Sequence, residues 1–154
     1  MLVLPFVAKQ DCFALKGGTA INLFVRDFPR LSVDIDLVYL PMNGRDQALQ
    51  EIREALDAIS ADFRATFIDV EVTEAYKSKS DALRLIVSRN GVQIKVELSP
   101  VLRGTVFDPV LMGVREAVED EFGYAEIAVV ALADLYAGKI CAALDRQHPR
   151  DLFD

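Results

Sequence analysis

The chain has 154 residues and a mass of 17.1 kDa, which fits one domain or a little less. It is 52% hydrophobic and 27% charged, with a mean hydropathy of +0.23, enough apolar material for a core and too much for a disordered chain. Lysine and arginine total 17 against 24 acidic residues, a net charge of −7, so a broad basic face wrapping a duplex is not expected.

The opening run from Met1 to Ala8 lacks a basic segment before it and is too short to span a bilayer. No membrane element is expected, nor an internal repeat. From Phe13 to Phe24 a short apolar entry meets Gly17-Gly18, and Ile21, Phe24 and Phe28 then recur at helical spacing. That pattern predicts a tight turn leading into a short helix. From Val33 to Tyr39 the chain alternates: Val33, Ile35, Leu37 and Tyr39 share one strand face, Asp34 and Asp36 the other.

Arg45 to Ile59 is an amphipathic helix, with Leu49, Ile52, Leu56 and Ile59 on one stripe and Asn43 as a cap. Thr66 to Thr73 alternates again, with Ile68, Val70 and Val72 expected inside. Leu83 to Ser88 and Val92 to Leu98 flank Asn90-Gly91, a strong hairpin signal. Arg103 to Ala125 reads as a looser region. Leu132 to Leu144 is a second strong helix, broken at Gln147-His148-Pro149, and Arg150 to Asp154 resembles the start of another. This order implies a mixed α/β (α+β) sheet flanked by helices rather than a doubly wound parallel one.

Asp34 and Asp36 are the first candidates for chemistry. Same-face neighbours on a strand lie about 6.6 Å apart by Cα, so their carboxylates can hold divalent cations between them. Oxygen-only ligation favours magnesium. A solvent-facing strand with two ordinary aspartates would look the same. The upstream Gly-Gly pair adds weight, since glycines before a helix let backbone N–H groups approach a phosphate. Asp34 follows Gly18 by sixteen residues, which sets a phosphate cradle, Gly17–Thr19, beside a metal site.

The segment FALKGGTAINLFVRDFPRLSVDIDLVY, residues 13–39, resembles the first motif of the AbiEii/AbiGii-type nucleotidyltransferase toxin family. The tail DLYAGKICAALDRQHPRDLFD, residues 134–154, resembles that family's K-x-x-A…R…R-D pattern. The resemblance implies the nucleotidyltransferase fold shared with DNA polymerase β, with a mixed twisted sheet. It implies magnesium- or manganese-dependent transfer of a nucleotide from an NTP, with tRNA 3′ ends as acceptors in some members. It also implies a cognate antitoxin partner in a toxin–antitoxin or abortive-infection system. Family members continue in helices past the R-D block, so residues 1–154 are expected to be a nucleotidyltransferase core without them.

By this resemblance Gly17 and Gly18 match the glycine turn, Asp34 and Asp36 the metal pair, and Ser32 a hydroxyl position before it. Lys139 matches the helix lysine, and Asp151 or Asp154 the distal acid. Lys139 also stands out by position: Leu132, Tyr136, Lys139 and Ala143 share a helical stripe. Its ammonium either snorkels to water or meets NTP phosphates. Glu97 shares a strand face with Lys95. If that strand neighbours Asp34–Asp36 in register, Glu97 is a third carboxylate for catalysis and metal, as polymerase-β-like sites use one near the attacking hydroxyl. Otherwise it is an exposed strand glutamate.

The single histidine, His148, and the two cysteines, Cys12 and Cys141, leave no zinc site or disulfide framework and point to the reducing cytoplasm. Both cysteines read as small packing residues, His148 as exposed, and Glu116, Glu119, Asp120 and Glu121 as a solvated surface. Two other functions compete. One is a catalytically incomplete relative that only binds its antitoxin. The other is a haloacid-dehalogenase-like phosphatase, since Asp34-Ile35-Asp36-Leu37-Val38 fits D-x-D-x-[TV]; there, however, the strand ends at the first aspartate.

Overall fold

The computed structural model describes residues 3–26, 34–78 and 82–146. After a one-turn helix α1 (Leu4–Val7), strand β1 (Phe13–Lys16) runs straight into α2 (Gly17–Ala20), which continues as a π-helical turn, Ile21–Val25. Strand β2 (Asp34–Tyr39) leads to the long helix α3 (Arg45–Thr66). Then come β3 (Glu71–Glu74), the short α4 (Ala75–Ser78), and the strands β4 (Arg84–Arg89) and β5 (Val92–Arg103). Strand β6 (Val110–Gly113), α5 (Glu116–Phe122), β7 (Glu126–Val129) and α6 (Leu132–Arg146) complete the described chain.

The described strands form one seven-stranded sheet in the order β3-β4-β5-β2-β1-β7-β6. It is mixed, as expected: β2/β5 and β1/β7 pair parallel, while β1/β2, β3/β4, β4/β5 and β6/β7 pair antiparallel. One face is apolar. Phe13 and Leu15 of β1, Ile35, Leu37 and Tyr39 of β2, Leu85 and Val87 of β4, and Val96 and Leu98 of β5 are all buried. Helix α3 supplies much of the opposing layer through Ala48, Ile52, Ala55, Leu56, Ile59 and Phe63. These recur three, four or seven residues apart, so they form one stripe. Each large side chain removed from water there contributes about 1.5–3 kcal/mol.

The hairpin is built as its turn residues require. Asn90 and Gly91 both take positive φ, 50° and 77°, the pattern of a two-residue I′ turn, and Arg89 pairs directly with Val92. Strand β5 runs on to Arg103, further than its alternation suggests. Between Leu37↔Leu98 and Tyr39↔Arg103 the register shifts, and residues 99–102 bulge out around Pro100, where a missing donor is tolerated. Ser99 Oγ accepts from the N–H groups of Val101 (3.2 Å) and Leu102 (3.0 Å).

Four expectations need correction. Thr66 to Thr73 is not a strand: α3 runs to Thr66, Ile68 lies in a fully exposed turn, and only Glu71–Glu74 is extended. Phe63 extends the helical stripe beyond Ile59, and it and Phe67, just past the helix end, meet Phe6 at ring-centroid distances of 4.5 and 5.9 Å, and that packing outweighs the local alternation. Asn43 does not cap α3, whose N-cap is Gly44. Its amide instead donates to Tyr39 Oη (3.0 Å) and Glu51 Oε1 (3.2 Å). The region from Arg103 to Ala125 holds a strand and a helix, β6 and α5. Finally, Cys141 is exposed rather than packed. Cys12 does border the core, and burial pushes its thiol up to about 11. Glu116, Glu119, Asp120 and Glu121 are all exposed, as expected. His148 lies outside the described residues.

Candidate active site

The second face of the sheet is charged where the first is apolar. Cross-strand partners point to the same side, so the register defines a row across four strands: Lys16 opposite Asp36, Asp36 opposite Glu97, and Glu97 opposite Arg84. One step along β2, Asp34 stands opposite Lys95. Three carboxylates and three cations therefore share this face over β1, β2, β5 and β4, with Asp36 and Glu97 side by side between Lys16 and Arg84. Adjacent strands are about 4.8 Å apart, so neighbouring charges are within Coulombic reach.

Gly17 closes this face from above. Its φ is +75°, and a Cβ placed on it would lie 2.5 Å from Asp36 Oδ2 and 3.1 Å from Asp36 Cβ. Only glycine adopts that conformation cheaply and leaves room for the carboxylate. The glycine turn and the second aspartate of D-x-D thus form one structural unit. Immediately after it, the first-turn N–H groups of the α2 helix have no intrahelical acceptors. Thr19 is buried, and its hydroxyl donates to the Asp34 carbonyl oxygen, fastening α2 to the start of β2.

The two aspartates differ in surroundings. The Asp34 side chain is about half exposed, with Oδ1 3.9 Å from Lys95 Nζ. That same oxygen is covered from solvent and has no hydrogen-bond partner among the described residues. Asp36 is half-buried, between Lys16 and Glu97 in register and beneath Gly17. Glu97, at the register position expected of a third carboxylate, forms an ion pair with Arg84. Its carboxylate is committed to that guanidinium, and among the described residues no three histidine, cysteine, aspartate or glutamate side chains converge as a metal cage.

Lys139 is half-buried on α6, a helix that packs against α2. That packing brings the helix lysine's element to the glycine turn. Its stripe-mates Leu132 and Tyr136 are exposed, so the stripe does not face a filled core. Ser32, Asp151 and Asp154 lie outside the described residues. The sequence alone did not single out Lys16 or Arg84, and it marked Lys95 only as sharing the Glu97 strand face. Arg84 was within reach: counting back from a two-residue turn at Asn90-Gly91 puts it opposite Glu97.

A family model of the AbiEii nucleotidyl transferase toxins of type IV toxin–antitoxin systems matches residues 1–154. The chain belongs to this family. The fold is similar to that of MenT4, a nucleotidyltransferase toxin from Mycobacterium tuberculosis H37Rv, with a TM-score of 0.59 at 16% sequence identity. The match covers 90% of this chain and 48% of MenT4, so the AbiEii-family chain spans about half the length of that neighbour. No curated protein matches the chain in sequence. The phosphatase alternative fails on family and on geometry, since β2 continues from Asp34 through Tyr39 instead of ending at the first aspartate. Among the described residues no helix is long and apolar enough to cross a membrane.

Proposed function

We propose that this chain is the nucleotide-transferring core of a toxin, moving a nucleotide from an NTP to an acceptor hydroxyl, with a tRNA 3′ end as acceptor, in the cytoplasm. A cognate antitoxin would be its protein partner. The observation that carries the reading is the apposition of Gly17 and Asp36. A turn that must be glycine, opening a helix, lies directly against an aspartate of a half-exposed pair. That suits a triphosphate meeting a cation.

Magnesium or manganese fits the donors present: two carboxylates at alternate positions of one strand, all oxygen, with Asp34 Oδ1 covered and lacking a hydrogen bond among the described residues. Asp34 and Asp36 would hold the ion, which when bound supplies a Lewis acid for the phosphate oxygens. The residues of this chain do the rest. The N–H groups of Gly17, Gly18 and Thr19 bind and orient the triphosphate. Lys139 brings a point charge to the same end and offsets negative charge as it builds on the leaving group. The acceptor oxygen forms a bond to the α-phosphorus as the α–β phosphoanhydride bond breaks, and pyrophosphate departs. The acceptor's proton passes to Glu97, which its ion pair with Arg84 holds beside Asp36. Ser32 and one of Asp151 and Asp154 would complete the site.

Incubation with each α-labelled NTP, magnesium and total tRNA tests this reading. Label should appear in RNA with one or a few of the nucleotides and vanish in Asp34→Ala. Label released as free nucleotide or phosphate, with none in any acceptor, would contradict transfer.

A further inference from the structure

The site face holds more positive charge than the proposed reaction uses, and its two strand-borne cations on the β5 side are held differently. Arg84 is locked to Glu97 by a close ion pair. Lys95 stands 3.9 Å from Asp34 Oδ1, near enough to neutralise it and too far to hydrogen-bond. A covered carboxylate oxygen without a donor is costly unless a counter-charge lies close by. Lys95 supplies that charge from the directly opposing position on β5. Its side chain is 42% exposed, and an ammonium on a flexible stem leaves for water more readily than a guanidinium fork.

We propose that Lys95 is a built-in counter-ion of the aspartate pair, which neutralises Asp34 in the cation-free protein and is displaced when a divalent cation binds. This rests on the reading of Asp34 and Asp36 as the cation-holding pair. The consequence is a penalty on cation binding: Asp34 must exchange one positive charge for another, and the displaced ammonium stays near the ion. Removing Lys95 therefore tightens binding of the bare cation, and added salt shrinks the gain by screening. Glu97 needs no such exchange, because Arg84 keeps it paired throughout.

Mn²⁺ alone, titrated into the full chain with free ion followed by electron paramagnetic resonance, reads this directly. Lys95→Met should bind about ten-fold tighter than the wild type at low salt, from like-charge repulsion at a few ångströms, while Lys95→Arg, which keeps the charge, stays within about two-fold. Lys95→Gln, measured alongside, covers a folding defect in the methionine variant. Asp36→Asn in the same series separates the two ideas. If Asp36→Asn abolishes binding while both neutral Lys95 variants bind no tighter than wild type, the counter-ion inference is overturned and the metal reading stands. If binding ignores Asp36→Asn, the metal reading falls and the inference with it.

Discussion

The Cα of Gly17 lies so close to the Asp36 carboxylate that a methyl group there would sit 2.5 Å from Oδ2, at a backbone φ of +75°. Gly17 opens α2 and Asp36 lies in β2, and each restricts the other. Gly17→Ala should therefore destabilise the protein by about 1–3 kcal/mol through backbone strain and push Asp36 aside as well. Chemical denaturation and Mn²⁺ binding, measured together, should both deteriorate. Gly138 is a useful contrast: it lies in α6, and no other described residue comes within 4 Å of its would-be Cβ outside its own helix backbone and chain neighbours. Gly138→Ala should stabilise by up to about 1 kcal/mol from helix propensity alone.

Lys139 offers a test of chemistry separated from folding. It is half-buried on a helix that touches α2. We expect Lys139→Ala to slow nucleotide transfer roughly 100-fold, the scale for removing one stabiliser of developing charge. Stability should change by about 0.5 kcal/mol or less. A large fall in melting temperature with transfer retained would make Lys139 a structural residue.

The motifs set by local geometry were legible in the sequence. Alternation put Asp34 and Asp36 on one face, paired glycines marked the turn, and Asn90-Gly91 fixed a two-residue hairpin. From that hairpin the phase of Glu97 follows. The parallel pairing of β2 with β5 was not legible, because α3, β3, α4 and β4 intervene and no local signal chooses the neighbour. Elements β6 and α5 were missed for a related reason. Val110 and Leu111 of β6 are both exposed, so the strand lacks the alternation that reveals a half-buried one. At Ile68 the alternation was present but misleading, since Phe63 continues the helix and Phe67 just beyond it packs on Phe6. The counter-ions Lys95 and Arg84 were hidden because a charged residue on an open strand face looks the same whether it is solvated or paired.

Away from the site, Glu74 should set the acid limit of the fold. Burial alone would raise its carboxyl, but hydrogen bonds from Arg64 (2.9 Å) and Ser60 (2.7 Å), with Lys77 at 3.0 Å, win and bring it from 4.5 down to about 2. A depressed carboxyl stabilises the folded state above its unfolded value, and that contribution is lost as pH falls from about 4.5 towards 2. Glu74→Gln should cost about 1–3 kcal/mol at neutral pH and flatten the decline between those values. Urea denaturation of both proteins from pH 5 to pH 2 would show it. Parallel curves for the two would assign the acid sensitivity elsewhere.

The central claim is that the Asp34–Asp36 pair under the glycine turn transfers nucleotides. Its most direct measurement is the rate at which α-labelled nucleotide enters acceptor RNA, compared between wild type and Asp36→Asn at matched melting temperature. The amide keeps the size of the carboxylate beneath Gly17 and removes its charge. We predict a loss of at least about 100-fold that excess manganese does not rescue, whereas transfer at the wild-type rate in Asp36→Asn would contradict the account.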